Sequence, residues 1–326
     1  MPTYSFSQRL RILSSAVVLF LGWQQATQAQ QATAPNRPIL PPPVQVSPHV
    51  YAWIGPHGGP DQKNQGYRMN MAFVVGKKSV AVLETGYTEA MAREMLKHIA
   101  SVTPLPVKYA INSNSQPDRY FGNEVFRRQG ATVIAHQSEA ARMARMGSDF
   151  AGGISMNLGL NAASITVPTA PDIQLAEPAS YDLGDLQMHL KSFGAAHTPG
   201  PLVVHIPADN VVYAGDILYS GRLPAIIPDG SVKSWIKVFD DLKGYGDALF
   251  VPGHGKPGKL KDFEFSTRDY LVLLHTHMEK QVKEGADMQT AISGLDQTRF
   301  SKLANYPELS GRNASQTYLE SEKASF

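Results

Sequence analysis

The chain contains no cysteine. Disulfides are excluded, as are thiolate metal ligands, and any metal would have to be held by His, Asp, Glu or an amide oxygen. An excess of charge is lacking too: 30 Lys and Arg face 28 Asp and Glu, for a formal net charge of +2. No basic stripe interleaved with aromatics breaks that balance, so no nucleic-acid partner is expected. No repeat of fixed period is visible either, which excludes a solenoid or propeller. What remains is 326 residues with 43% hydrophobic content, enough to bury a full core in one large α/β domain or two small ones.

The N-terminus reads as an export signal. Arg9 and Arg11 precede the apolar run Ile12 to Gly22, and Thr27-Gln28-Ala29 offers small residues for cleavage after Ala29. The run is shorter than the about 20 apolar residues of a spanning helix, so residues 1–29 are expected to leave no stable membrane anchor. No twin-arginine pair is present, and the expected route is general secretion to the periplasm or exterior. Residues 30–43 are Gln/Ala-rich and then Pro-rich, a linker composition. A single domain is expected over residues 44–326, with a C-terminal helical extension from about residue 259.

Short apolar runs predict strands at Val50 to Ile54, Met71 to Val75, Ser79 to Leu83 and Val107 to Ile111. Met91, Met95, Leu96 and Ile99 have helical spacing within Thr88 to Ala100. Helix, strand and helix follow over 125–129, 132–135 and 140–146, then a loop-rich stretch from Gly147 to Ala179, whose part from Gly147 to Ala162, with Met156 and Leu158, could wall a pocket. Strands are expected at 186–193, 202–206, 211–214 and 248–251, and helices at 234–245 and 263–284. Strands first, then strands alternating with helices, predict two sheets with helices outside them.

The chemistry concentrates at strand ends. Ile111-Asn112 leads into a polar loop that holds Pro117-Asp118 and closes on Gly122-Asn123; His197-Thr-Pro-Gly200, Gly215-Asp216 and Pro252-Gly-His254-Gly255 follow. Taken singly, a His or Asp beside Gly is more often a turn or a satisfied surface group. The ordered set, from about Val44 to Gly255, resembles the metallo-β-lactamase superfamily. That resemblance implies an αββα sandwich, two mixed β-sheets flanked by helices. The leading Val50-Tyr-Ala-Trp53 and the closing Arg312 to Glu320 resemble an exported branch associated with quinoprotein systems, which adds a periplasmic quinoprotein to the expected partners.

In a two-metal member of that family, the positions of Asn114, Gln116 and His197 would hold the first metal. Those of Asp118, Arg119 and His254 would hold the second, and Asp216 would bridge. A metal-held hydroxide would then attack a carbonyl, phosphoryl or thioester centre. Here the family's His-x-His-x-Asp-His reads Asn114-Ser-Gln116-Pro-Asp118-Arg119. Carboxamides are poor zinc ligands, and a guanidinium is always protonated with no lone pair to donate. Glu84 stands where many members have Asp. The partial metal set is therefore Asp118, His197, Asp216 and His254, and the expected cofactor is none or a single weakly bound zinc. Asn114, Gln116, Arg119 and His197 are the candidate substrate-binding set for a small molecule in the cleft. Arg119 either bridges Asp118 and Asp216, since two inward carboxylates need pairing, or points to solvent. Two functions stay open: a non-catalytic or metal-independent binding protein, and a residual single-zinc hydrolase with Asp118 as its catalytic residue. His275 and His277 fall on different helix faces and form no metal pair. His57 belongs to a hairpin that can overhang such a site, although a plain surface turn is the simpler reading.

Overall fold

The computed structural model of the protein describes residues 38–325; the signal-peptide reading lies outside them. Ile39 and Leu40 donate their backbone N–H groups to Glu94, and Leu40 is buried, so packing begins upstream of Val44. Two sheets form the centre. The first has seven strands in sequence order: β1 (Val44–Gln45), β2 (Val50–Trp53), β3 (Met71–Val75), β4 (Val80–Leu83), β5 (Val107–Ile111), β6 (Thr132–His136) and β7 (Ile173–Leu175). It is antiparallel from β1 to β4 and parallel from β4 to β7. The second has five strands, ordered β12 (Leu249–His254), β11 (Val211–Tyr219), β10 (Leu202–Ile206), β9 (Gln187–Ser192) and β8 (Ala179–Asp182). Only its β11–β12 pair is parallel. Pro252 is tolerated inside β12 because that strand lies at the sheet's edge.

Strands such as β3, β4 and β11 read as continuous apolar runs because both sheet faces are covered there, whereas β9 alternates between buried and exposed residues. Val50, Ala52, Ala72, Val74 and Leu83 meet Leu190, Val204 and Val211 between the sheets. Trp53, Met71, Phe73 and Val82 face outward onto helices α1 (Glu89–Val102), α3 (Asn123–Arg127) and α4 (Gln137–Leu158). On the far side, Val203, Val212 and Phe250 pack on α5 (Val232–Asp241), α6 (Tyr270–Lys283), α7 (Met288–Ser293) and α8 (Tyr306–Lys323). The molecule is an αββα sandwich, as expected. Among the described residues, no helix is long and apolar enough to cross a membrane.

The stretch from Gly147 is not a loop. α4 runs on through Gly147, Gly152 and Gly153, because Ala151, Ile154 and Leu158 continue the buried face begun by Ala140 and Met143. A Cβ on Gly147 would lie 2.6 Å from Val167 Cγ1, so the glycine permits a close crossing. Met156 is 80% exposed, while Ile154 and Leu160 of the same stretch line a separate cavity of about 160 Å³ with Tyr87 and Phe121. β11 overruns its expected end at Ala214 through a bulge at Gly215, whose φ of 52° suits glycine.

Candidate functional site

Strand ends of the two sheets converge on one cavity of about 320 Å³. The loop after β5 enters it through α2 (Pro117–Tyr120), a single turn begun by Pro117, whose fixed φ suits the first helical position. The frame around that loop is built by amides. Asn112 and Asn123 exchange side-chain hydrogen bonds of 3.0 and 2.9 Å, and Asn112 Nδ2 also donates to Arg119 O at 2.9 Å. Thr85 Oγ1 donates to Asn123 Oδ1 at 2.8 Å, and a Cβ on Gly122 would strike Thr85 O. These bonds account for the frame residues recognised in the sequence.

Arg119 is fully buried and bridges inward. Its Nε and Nη2 donate to the two carboxylate oxygens of Asp216 at 3.0 and 2.6 Å, and Nη1 donates to Asn70 O at 2.9 Å. Asp118 Oδ1 lies 3.8 Å from Arg119 Nε, but its better partner is Arg68, whose Nε donates to Oδ2 at 3.1 Å. Asn114 Nδ2 donates to Asp216 Oδ2 at 2.8 Å, while its Oδ1 accepts from Gln116 N at 2.9 Å. The bulge at Gly215 aims Asp216 at this cluster, and a Cβ on Gly253 would collide with Asp216 Oδ1. Burial by itself would raise the Asp216 pKa, but the Arg119 guanidinium, helped by the Asn114 N–H, holds it well below the usual carboxylate range.

Burial disfavours the charged form of both histidines. Burial lowers the pKa of His197 despite the attraction of Asp216, and burial with Arg222 pushes His254 well below its usual value. His197 Nδ1 donates to Ala225 O at 2.7 Å, which leaves the Nε2 lone pair free. His254 Nδ1 lies 3.0 Å from Arg68 O, and its Nε2 is 3.4 Å from Asp216 Oδ1. Behind them Glu84, at φ 69°, accepts from Ser113 N at 3.0 Å and lies 3.2 Å from the Tyr213 hydroxyl. Burial pushes its carboxyl up to about 7.

Asp118, His197, Asp216 and His254 all line the cavity, as does Gln116. Asn114 and Arg119 do not: both are fully buried, Asn114 donating to Asp216 and Arg119 to Asp216 and Asn70 O. The expectation that these two would meet a substrate is corrected accordingly. Gly58 and Gly59 line the rim, so the hairpin after β2 does overhang the site. Sequence reasoning missed Arg68, Tyr219 and Arg222, and the wall formed by Asn305, Glu308, Leu309 and Arg312. For that wall a signal existed: Arg312 opens the tail segment singled out above. Within it Asn313 is buried, accepting from Ile226 N at 3.0 Å and donating to Pro224 O at 2.8 Å.

A sandwich of this kind, with its cavity where strands of both sheets end, defines a class. The chain belongs to the metallo-beta-lactamase superfamily, whose family model matches residues 66–254, more than half of its length. The metallo-beta-lactamase type 2 of Bacteroides fragilis is 21% identical to it over 193 residues, covering 58% of this chain and 70% of that protein. The 2,4-dinitroanisole O-demethylase subunit alpha of Nocardioides sp. (strain JS1661) is 24% identical over 192 residues, 59% of this chain. This match spans only 54% of the demethylase subunit's own length. A solved metallo-beta-lactamase from Pontibacter korlensis has a TM-score of 0.56 at 20% identity, covering 70% of this chain and 97% of that one. At such identity the likeness speaks for the fold alone.

Proposed function

We propose that the protein is an exported, metal-independent ligand-binding member of this hydrolase superfamily, in which Arg119 supplies the charge balance that metals would otherwise provide. The observation that carries this reading is the buried, bidentate pair of Arg119 with Asp216. Where a two-metal site would use Asp216 as its bridge, both oxygens accept from one guanidinium. Asn114 turns its N–H toward Asp216 and its oxygen toward Gln116 N, so it offers no donor oxygen to the centre. Among the described residues, no three His, Cys, Asp or Glu side chains come together as a metal-holding group. A guanidinium about 4 Å from a zinc ion would oppose it by about 8 kcal/mol at an effective dielectric of 20. On this reading the residues do not fit a zinc pair.

A residual single-zinc hydrolase of an ester, lactam or thioester is the second reading. It is favoured by the meeting of Asp118, His197, Asp216 and His254 on one cavity, and by the lactamase and demethylase names of the relatives. Elemental analysis after equal zinc exposure separates the two readings. The unmodified protein is expected to retain little zinc. The triple variant Asn114→His, Gln116→His, Arg119→His is expected to retain it, because it gains imidazoles and loses the fixed cation. Near-stoichiometric zinc in the unmodified protein, removable only by chelator and required for hydrolysis, would overturn the metal-independent reading.

A further inference from the structure

The two carboxylates of the cavity floor are each matched by an arginine, and one arginine is left over. Arg119 is committed to Asp216 and Arg68 reaches Asp118. Arg222 lines the same cavity, is 3% exposed, and has no ion pair among the described residues. Its Nε donates to Leu223 O at 3.2 Å, and its Nη1 lies 3.2 Å from His254 Nδ1. That nitrogen is also 3.0 Å from Arg68 O, and a neutral ring cannot donate to the carbonyl and accept from Arg222 through the same atom. Nη2 makes no hydrogen bond to the described residues. The guanidinium stands 5.5 Å from the Tyr219 ring centroid, a contact worth far less than the desolvation of a buried charge. Burial, with Arg68 adding to it, lowers the Arg222 pKa, and Tyr219, Asp216 and Asp118 only partly oppose that shift.

Three further groups on the cavity wall lack partners among the described residues, one of them the buried acceptor Asn305 Oδ1, which calls for a donor on the ligand. Tyr219 is 1% exposed, yet its hydroxyl bonds to none of the described residues. His197 presents a free Nε2 lone pair, since its Nδ1 is held by Ala225 O. Glu308 and Arg312 line the cavity one turn apart on α8 and add one charge of each sign, and among the described residues Glu308 makes no ion pair with Arg222. The cavity's size, about 320 Å³, is at the small end of ligand pockets.

We propose that this cavity binds a small organic oxyanion, a carboxylate or a phosphate, whose oxygens pair with Arg222 and the Tyr219 hydroxyl. A hydroxyl or amide N–H of the same molecule donates to His197 Nε2. The inference rests on the reading of the cavity as a ligand-binding site and names the chemistry of its ligand.

Calorimetric titration of the full, chelator-treated protein with inorganic phosphate, malate and malamide tests it; malamide is the neutral diamide of malate. Malate or phosphate is expected to bind, with affinity falling as salt rises, and malamide at least tenfold more weakly. Malate alone would identify a carboxylate ligand and phosphate alone a phosphate ligand. Arg222→Met should lower the affinity at least tenfold while raising the Tm of the free protein, because an unpaired buried charge is removed. Tyr219→Phe keeps the ring and should show a smaller loss. Failure of both anions to bind protein verified as zinc-free overturns the oxyanion proposal and leaves the metal-independent reading standing. Equal binding by Arg222→Met overturns it as well. Anion binding that needs restored zinc overturns both.

Discussion

Arg119 is the residue on which the site depends, and its worth follows from what it would leave behind. Both partners of the Arg119–Asp216 pair are almost wholly buried, and a lone buried charge costs more than an ion pair gains. Arg119→Ala is expected to lower stability by about 3–5 kcal/mol in urea denaturation, with much of the loss recovered in the double variant Arg119→Met, Asp216→Leu, which strands no charge. Glu84 gives a pH prediction. Its folded pKa, about 7, is raised above the ordinary 4.5 chiefly by burial, so the folded state holds its proton more tightly than the unfolded one. The associated stability is full below about pH 4.5 and is lost as pH rises toward 7, by on the order of 3 kcal/mol. In the neutral form, Oε1–H can donate to Tyr213, which in turn donates to Asn70 O at 2.9 Å. Glu84→Gln should flatten this part of the pH–stability curve. His197 and His254, with depressed pKa values, act oppositely: their contribution is full above pH 6.5 and is lost as pH falls through their lowered values. The difference between wild-type and Glu84→Gln curves therefore isolates Glu84, and parallel curves across this range would count against the assignment. The departures at 114, 116 and 119 were legible in the sequence because the surrounding frame fixed the alignment. Arg68 was not, since nothing local marks a side chain whose partner, Asp118, lies 50 residues away.

At the scale of elements, local pattern was a good guide wherever local and tertiary demands agree. β5 and β10 fall where their apolar runs predict, and Thr88 caps α1 by accepting from Met91 N. α4 shows the opposite case. Its three glycines argue for a loop by propensity, yet the buried face from Ala140 to Leu158 outweighs that cost. The long helix read from Phe263 is likewise modified: Glu264–Asp269 is π-helical, and Ser266 and Thr267 in it donate to Tyr219 O at 2.6 and 3.0 Å. Thus the wide turn anchors the end of β11 beside the cavity. The C-terminal segment acts as a brace. Glu320 accepts from Ser231 Oγ at 2.6 Å and from Val232 N at 2.8 Å, satisfying the start of α5 from the far end of the chain. Glu320→Ala should cost about 1 kcal/mol, the usual worth of a helix cap, measured by thermal or urea unfolding. A change within error would mean that solvent caps α5 equally well. Beyond the tail segment opened by Arg312, local pattern did not show this wall, because α8 is placed at the cavity by its packing on α6 and α7.

For the whole molecule, the question is where the charge balance at the junction of the two sheets comes from. A metal that binds only the folded state adds RT ln(1 + [L]/Kd) to stability, about 4 kcal/mol at a thousandfold excess over Kd, and that increment disappears when the metal is removed. Arg119 is part of the chain and cannot be titrated away. It joins the two halves of the sandwich directly, from α2 after the first sheet to Asp216 on β11 and to the Asn70 carbonyl. The fold should therefore have a melting temperature independent of chelator. In the triple variant with histidine at 114, 116 and 119, the same carboxylates regain imidazole neighbours and lose their cation, so the balance passes back to a dissociable ion. That variant should melt lower in chelator than in zinc, by several degrees, whereas the unmodified protein should give superimposable curves in both. Calorimetric scans of the two proteins, each with zinc and with chelator, provide the check. A drop in the unmodified protein's Tm on chelation, reversed by zinc, would mean that a metal shares the centre with Arg119 and would remove the basis for treating the guanidinium as its replacement.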